Sequence, residues 1–414
     1  MAKDDFLTAK EAAAALKISL PTLYAYVSRG LIYSQPGVGK SRAKRYRRVD
    51  VAALRARKEL RKNPTKAAES ALHYGSPVLT SAMTLIENGR FYYRGQDGVQ
   101  LAQTASFEAV AALLWRGRLD ESLFPARLPA SLRRRMDEIQ PTLRPLPLFE
   151  RLQMLLPLLA GHDLAAYDLG ETAVCQTGAR LLSLFTWAVT GRYPETGLAA
   201  ALQHAWLPQN EAVQPLLNAA LVLCADHELN VSAFAARVVA SAQANPYAVV
   251  QAGLAALQGT LHGGHTERVS TLLREATLQG ESSLAGVRPA VLARLRRGEA
   301  LPGFGHPLYP NGDPRGRMLL DWVAEKFTGE TAADIIQELE RVVAEATGQL
   351  PTIDLGLAAL AAVADLPAGA PLVLFALGRT AGWLGQAIEQ YKTGQLIRPR
   401  ARYVGVLPKK VIDE

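Results

Sequence analysis

From about residue 75 onward the chain repeats apolar positions at three- and four-residue spacing. "ASFEAVAALLWRG", "SAFAARVVASAQ" and "NPYAVVQAGLAALQ" each carry such a stripe, which predicts amphipathic helices. Sustained period-two alternation is hard to find, so this body is predicted to be all-α. The front of the chain has a different grammar. In "LTAKEAAAALKISLPTLYAYVSRGLI" Thr8 caps a helix, Glu11 completes a capping box, and Ala12, Ala15 and Leu16 give the helix an apolar side. Ile18, Ser19 and Leu20 form a short turn. Pro21, a permitted first-turn residue, then opens a second helix carrying Leu23, Tyr24 and Val27, which Gly30 ends.

Two short helices, a tight turn and a Gly-containing strand-like hairpin are the parts of a winged helix-turn-helix, whose second helix can enter a major groove. Between this module and the body, "RARKELRKNPTKAAESA" is charged and then polar, and Pro64 breaks any helix through it. Residues 1–55 are therefore expected to form the module and 56–74 a linker.

Composition narrows the class. A chain of 414 residues is long enough for roughly two or three domains with self-supporting cores. With 49% hydrophobic residues, 20% charged residues and mean hydropathy +0.03, neither disorder nor membrane residence is favoured. The apolar run "APLVLFALG" is far shorter than the roughly 20 residues that cross a bilayer. The start, "MAKDDFLTAKE", lacks a signal-peptide pattern, and a cytoplasmic location is expected. Two cysteines, Cys175 and Cys224, exclude a disulfide scaffold, and each is expected to be small buried filler.

Charge adds a partner. Of the net +8, much sits in Lys40, Arg42, Lys44, Arg45, Arg47, Arg48, Arg55, Arg57, Lys58, Arg61 and Lys62, interrupted only by Asp50 and Glu59. Such a block either faces nucleic-acid phosphates or simply solvates a small helical module. On the first reading Thr22 and Tyr24 face DNA bases, with Ser19 and Tyr26 beside them, and Lys40, Arg42 and Arg45 face phosphates.

The candidate chemistry lies further on. "LPGFGHPLYPNGDPRGRMLL" is too rich in Gly and Pro for one regular helix, so it is expected to be a loop presenting His306, Asp313 and Arg315. The chain has seven histidines, among them His227 in "CADHELN" and His262 and His265 in "LHGGHTE". Gly263 and Gly264, like Gly303 and Gly305, let backbone approach a ligand closely. The His262/His265 spacing suits two metal ligands on a helix. No HExxH occurs and a third ligand is lacking, so no metal is assigned. Asp354 interrupts the apolar "LPTIDLGLAAL", either as a helix N-cap or as a carboxylate held in an apolar pocket to take a proton from a carbon acid. Arg315, Arg379 and Arg398 stand at helix edges, and several guanidinium forks in one cleft suit a dicarboxylate.

Taken in order, "NGRFYYRGQDGVQLAQTASFEAVAALLWRGRL", "CADHELNVSAFAARVV", "AALQGTLHGGHTERV", "LPGFGHPLYPNGDPRGR", "TIDLGLAAL" and "FALGRTAGWLGQAIEQY" with "LIRPRARYVG" resemble the bacterial citrate synthase family from about Gly75 on. The front resembles the MerR and excisionase-like helix-turn-helix family. The resemblance implies an all-α homodimer with a large domain, 75–261 and 366–414, and a small domain, 262–365, that closes over the substrates. It implies condensation of acetyl-CoA with oxaloacetate, with no permanently bound cofactor and with acyl-CoA as co-substrate. By the same resemblance Asp354 is the base, His262 stabilises the enolate, and His306 polarises the ketone. His227, Arg315, Arg379 and the partner's Arg398 hold the keto-dicarboxylate, and Gly303, Phe304 and Gly305 form a loop toward CoA. Three departures stand out. Many relatives have a basic residue where this chain has Pro307, a small one where it has His265, and VDFYSG where it has "IDLGLA". The alternatives carried forward are a 2-methylcitrate synthase using propionyl-CoA and a DNA-binding, metabolite-sensing regulator with a synthase-like body.

Overall fold

A computed structural model describes residues 6–29, 31–36, 44–48, 50–52, 54–55, 79–278, 284–401 and 403–406. Gly30, Lys40, Arg42 and the expected 56–74 linker lie outside the described residues. The chain divides into two compact units, Met1–Thr80 and Ser81–Glu414.

In the first unit the helix Ala9–Leu16 starts as its sequence predicts. Thr8 accepts the Glu11 backbone N–H, and the Glu11 carboxylate accepts the Thr8 N–H at 2.7 Å. Its buried side is Ala12, Ala13 and Leu16, a slight rotation from expectation that leaves Ala15 half-buried. Lys17 at φ 51° turns the chain. The second helix is Leu20–Ser28, capped by Ser19, so Leu20 belongs to the helix rather than to the turn. Strands Phe6–Thr8, Ser34–Pro36 and Lys44–Arg47 form an antiparallel sheet with Lys44–Arg47 central. Leu7, Leu16, Leu23, Ile32, Tyr46 and Val51 fill the core. Asp50 is more than an interruption of the basic block: its carboxylate accepts the Tyr33 N–H at 2.7 Å and pairs with Arg47 at 2.8 Å.

The second unit is helical. "ASFEAVAALLWRG", "SAFAARVVASAQ" and "NPYAVVQAGLAALQ" become Phe107–Arg116, Val231–Ser241 and Pro246–Leu257. The helix Ala370–Thr393 is buried from Ala370 through Ile388 and packs against Glu171–Thr190, Gln214–Cys224, Val231–Ser241 and Pro246–Leu257. A helix apolar on every side must lie inside the bundle. Among the described residues no helix is long and apolar enough to cross a membrane. Cys175 and Cys224 are buried and free.

The helical pattern hid one small sheet. Strands Thr84–Glu87, Arg90–Tyr93 and Gln96–Asp97 run antiparallel, turning at Asn88 (φ 54°) and Gly89 (φ 75°), the left-handed pair that an Asn-Gly hairpin favours. Tyr93 Oη accepts the Asp226 N–H at 3.3 Å and donates to the Val222 carbonyl at 3.0 Å, while Thr84 Oγ1 donates to Asp226 Oδ2 at 2.6 Å. The sheet thus braces the turn that carries His227.

Two hydrophobic clusters divide this unit. The main one is built around the Ala370–Thr393 helix. The second gathers Val269, Leu272, Val291, Phe304, Leu339 and Leu355 with their neighbours. Helix Ile353–Val363 contributes to both, Ile353 and Leu357 to the main cluster and Leu355 and Ala359 to the second.

Candidate active site

The Gly/Pro-rich segment is a loop only as far as Asp313. Gly303 and Gly305 take φ of 87° and 75°. The loop then pairs with the residues just before Asp354: Phe304 bridges Pro351, Gly305 N–H donates to the Leu350 carbonyl at 2.9 Å, and Thr352 N–H donates to the Gly303 carbonyl at 2.9 Å. From Pro314 the chain is helix, Pro314–Lys326, which corrects the expectation that Arg315 lies on the loop. Proline suits the first helical turn, and Asp313 caps it by accepting the Arg315 N–H at 3.1 Å. Gly316 is required there, because a Cβ would lie 2.3 Å from the Thr352 carbonyl oxygen.

His306 occupies the bend. Its Nδ1 accepts the Leu308 N–H at 3.2 Å, so the neutral ring carries its proton at Nε2. The His227 and His306 rings meet edge to face at 5.3 Å, and His227 Nε2 lies 3.0 Å from Tyr309 Oη. The Arg315 guanidinium sits 5.5 Å over the Tyr309 ring. Arg315 donates through Nε and Nη2 to the two oxygens of Asp313 at 3.0 and 2.8 Å, and both residues are almost fully buried.

His262 lies in the turn between Pro246–Leu257 and His265–Leu278, with Nε2 2.7 Å from Ser232 Oγ. Ser232 also accepts the Trp383 indole N–H at 3.1 Å. The His262 ring meets Phe375 edge to face at 5.8 Å, and the Arg379 guanidinium covers the same Phe375 ring at 4.8 Å. Arg379, expected at a helix edge, lies inside the Ala370–Thr393 helix; buried there, it donates Nε to the Cys224 carbonyl at 2.7 Å, and its Nη2 is a buried donor with no acceptor among the described residues. Asp354 is not the N-cap of Ile353–Val363, a place Thr352 takes. It stands in the first turn and accepts the Thr352 hydroxyl at 3.2 Å.

Burial and the arginines act on the same groups. Desolvation, with Arg315 and Arg379 close by, puts His227 well below its ordinary value; burial and Arg379 bring His262 to about 3; burial and Arg315 bring His306 to about 4. Near neutral pH all three imidazoles are therefore uncharged. Burial raises Asp354, opposed by His265 and Arg315. Burial also raises Asp226, beside Arg379, to about 6. The result is a desolvated carboxylate, neutral N–H donors and two buried guanidiniums, the groups a carbon-acid reaction on an anionic substrate requires.

Of the predicted residues, His227, His262, His306, Arg315, Arg379 and Asp354 share this neighbourhood, with Gly303, Phe304 and Gly305 along its edge. Arg398 does not join it. It is exposed in the extended segment after the Ala370–Thr393 helix. Sequence reasoning missed Ser232, Tyr309 and Trp383, and saw Asp313 only as a loop residue. The His262 and His265 rings turn to different partners, Ser232 and the Gly303 N–H. Among the described residues no three His, Cys, Asp or Glu side chains gather to hold a metal ion.

In the first unit Tyr24 is exposed on the Leu20–Ser28 helix and Arg45 is half-buried on the central strand. Thr22 spends its side chain locally, with Oγ1 2.8 Å from the capping Ser19 Oγ.

A family model described as the citrate synthase C-terminal domain matches residues 73–400, and a helix-turn-helix domain model matches residues 6–59. Over 359 residues the chain is 33% identical to a citrate synthase of Mycolicibacterium smegmatis, covering 80% of this chain and 94% of that one. It is 29% identical over 372 residues to a 2-methylcitrate synthase of Mycobacterium tuberculosis, covering 80% and 89%. The crystal structure of citrate synthase from Thermotoga maritima MSB8 aligns with TM-score 0.67 at 26% identity, covering 82% of this chain and 96% of that one.

Proposed function

The chain belongs to the citrate synthase family with a helix-turn-helix domain in front, and we propose that its helical body condenses acetyl-CoA with oxaloacetate to give citrate and free CoA. The observation that carries this reading is the Asp354 carboxylate, held by Thr352 beside the buried Asp313–Arg315 pair, in one neighbourhood with the uncharged rings of His227, His262 and His306 and with buried Arg379.

Asp354 takes a proton from the acetyl methyl group, and the electron pair moves onto the thioester oxygen. His262 meets that oxygen as a neutral donor. Ser232 Oγ receives the Trp383 N–H, and when it turns its own proton to His262 Nε2, the imidazole proton sits at Nδ1. His306 donates Nε2–H to the ketone of oxaloacetate, the enolate carbon attacks the polarised carbonyl carbon, and the new alkoxide takes the His306 proton, which solvent replaces as Asp354 gives up the one it took. Water then cleaves citryl-CoA to citrate and CoA thiol. Arg379 Nη2 is a buried donor ready for one substrate carboxylate. Arg315, held by Asp313, and His227 serve the other end, with Arg398 of the partner subunit completing the set in a homodimer.

In this reading 75–261 with 366–414 is the large domain, and 262–365 is the small domain that closes over the substrates, with Gly303, Phe304 and Gly305 toward CoA. The reaction is that of the tricarboxylic acid cycle, in the cytoplasm. The N-terminal unit binds DNA through its second helix, a reading supported by the exposed Tyr24 and the basic strand. A dimer would offer two such modules to a two-fold site. The test is oxaloacetate-dependent release of CoA thiol from acetyl-CoA, with propionyl-CoA alongside and Asp354→Asn as the control.

A further inference from the structure

His265 is a histidine the proposed reaction does not use, and the structure gives it definite contacts. His265 opens the helix His265–Leu278, half-buried, one turn after His262. Its ring does not enter the space of His262. Its Nε2 accepts the Gly303 N–H at 3.2 Å, so the neutral ring keeps its proton at Nδ1.

Gly303 is wedged between two helices. A Cβ there would lie 3.1 Å from Val269 Cγ2, on the His265 helix, and 3.2 Å from Leu355 Cβ, on the Asp354 helix. Its N–H goes to the first helix and its carbonyl accepts the Thr352 N–H at the start of the second, at 2.9 Å. The same Thr352 donates its hydroxyl to Asp354. Three residues beyond Gly303 stands His306. One glycine therefore joins the element that starts at the His262 turn, the element that carries the carboxylate and the loop that carries the ketone-polarising ring.

We propose that His265 is a positioning residue for the condensation, fixing Gly303 through its Nε2 and so holding the His306 loop against the helix that carries Asp354. This rests on the citrate synthase reading of the site. What the role requires at this position is an acceptor within reach of the Gly303 N–H.

The experiment compares the full-length wild type with His265→Phe and His265→Gln, after wild-type turnover and its loss in Asp354→Asn have established the reaction. Phe fills the space with no acceptor, and Gln restores an amide oxygen that can reach Gly303. His265→Phe is expected to lower kcat about tenfold with the oxaloacetate KM within about twofold of wild type. His265→Gln is expected to recover most of kcat. A His265→Phe enzyme with wild-type kcat overturns the proposal, and so does a His265→Gln enzyme as slow as His265→Phe. Should His265→Phe fail to fold by circular dichroism, His265→Ala takes its place with the same two outcomes. Retained activity in Asp354→Asn would instead count against the reading of the site.

Discussion

Asp313 and Arg315, two residues apart, form a buried two-point ion pair, Nε to Oδ1 at 3.0 Å and Nη2 to Oδ2 at 2.8 Å. Asp313 Oδ2 also accepts the Ile353 N–H at 3.1 Å, at the start of the helix that carries Asp354. One carboxylate thus orients the Arg315 guanidinium and anchors the helix that carries Asp354. Burial alone would raise Asp313, but Arg315 reverses the effect and holds it below its ordinary value.

Removing that carboxylate leaves Arg315 as an uncompensated buried charge and the Ile353 N–H without its acceptor. Asp313→Ala is expected to destabilise the helical body by about 3–5 kcal/mol, the usual result of breaking one side of a buried pair. Denaturant unfolding followed by tryptophan fluorescence measures this. A loss below about 1 kcal/mol would mean the pair is solvated in solution.

Ser232 joins His262 and Trp383 through one hydroxyl. Ser232→Ala keeps the volume nearly unchanged but frees the His262 ring, so kcat should fall roughly 10- to 100-fold with little change in the oxaloacetate KM. A large rise in KM with unchanged kcat would place Ser232 in ground-state binding.

The depressed histidines give stability a pH dependence with a definite sign. His262 and His306, near 3 and 4 when folded, titrate near 6.5 when unfolded, so between those values the unfolded chain binds more protons. Their contribution is fully present above about 6.5 and is lost as pH falls toward about 4. Asp226, raised to about 6, acts in the opposite direction, because its folded form takes up a proton first. The comparison must therefore be between variants. Unfolding midpoints measured from pH 7 to 4.5 should fall less steeply for His306→Gln than for wild type. Parallel slopes would show that His306 is not held neutral.

For the N-terminal unit, binding to a short duplex should weaken steeply with salt. Replacing Lys44 and Arg45 by Ala should reduce the slope of log K against log salt by about 2, near 0.9 for each phosphate no longer neutralised. Fluorescence anisotropy over a salt series reads this directly, and an unchanged slope would remove the basic strand from the interface.

The helical body is legible because its helices carry three-four apolar spacing, and the Thr8–Glu11 box because both halves of a cap lie three residues apart. What stays hidden depends on placement in space. The Thr84–Asp97 sheet has strands too short for period two to stand out, although Asn88-Gly89 marks its turn. Arg315 looks like a loop residue as long as Pro and Gly count only as helix breakers, yet Pro314 stands where helices accept proline and Gly316 where Thr352 leaves no room for a side chain. Ser232 and Tyr309 carry no local signal. Each matters only because distant segments bring a histidine within hydrogen-bond distance, 2.7 and 3.0 Å away.

The proposed reaction turns on removal of the methyl proton by Asp354. That step is read by oxaloacetate-dependent release of CoA thiol from acetyl-CoA by the full-length protein beside Asp354→Asn, which keeps the side-chain shape and removes the base. The wild type should turn over, and the variant should lose at least about 100-fold in kcat, with oxaloacetate still bound by both. Equal rates in the two proteins, or no turnover by the wild type with either acetyl-CoA or propionyl-CoA while oxaloacetate still binds, would overturn the proposed reaction.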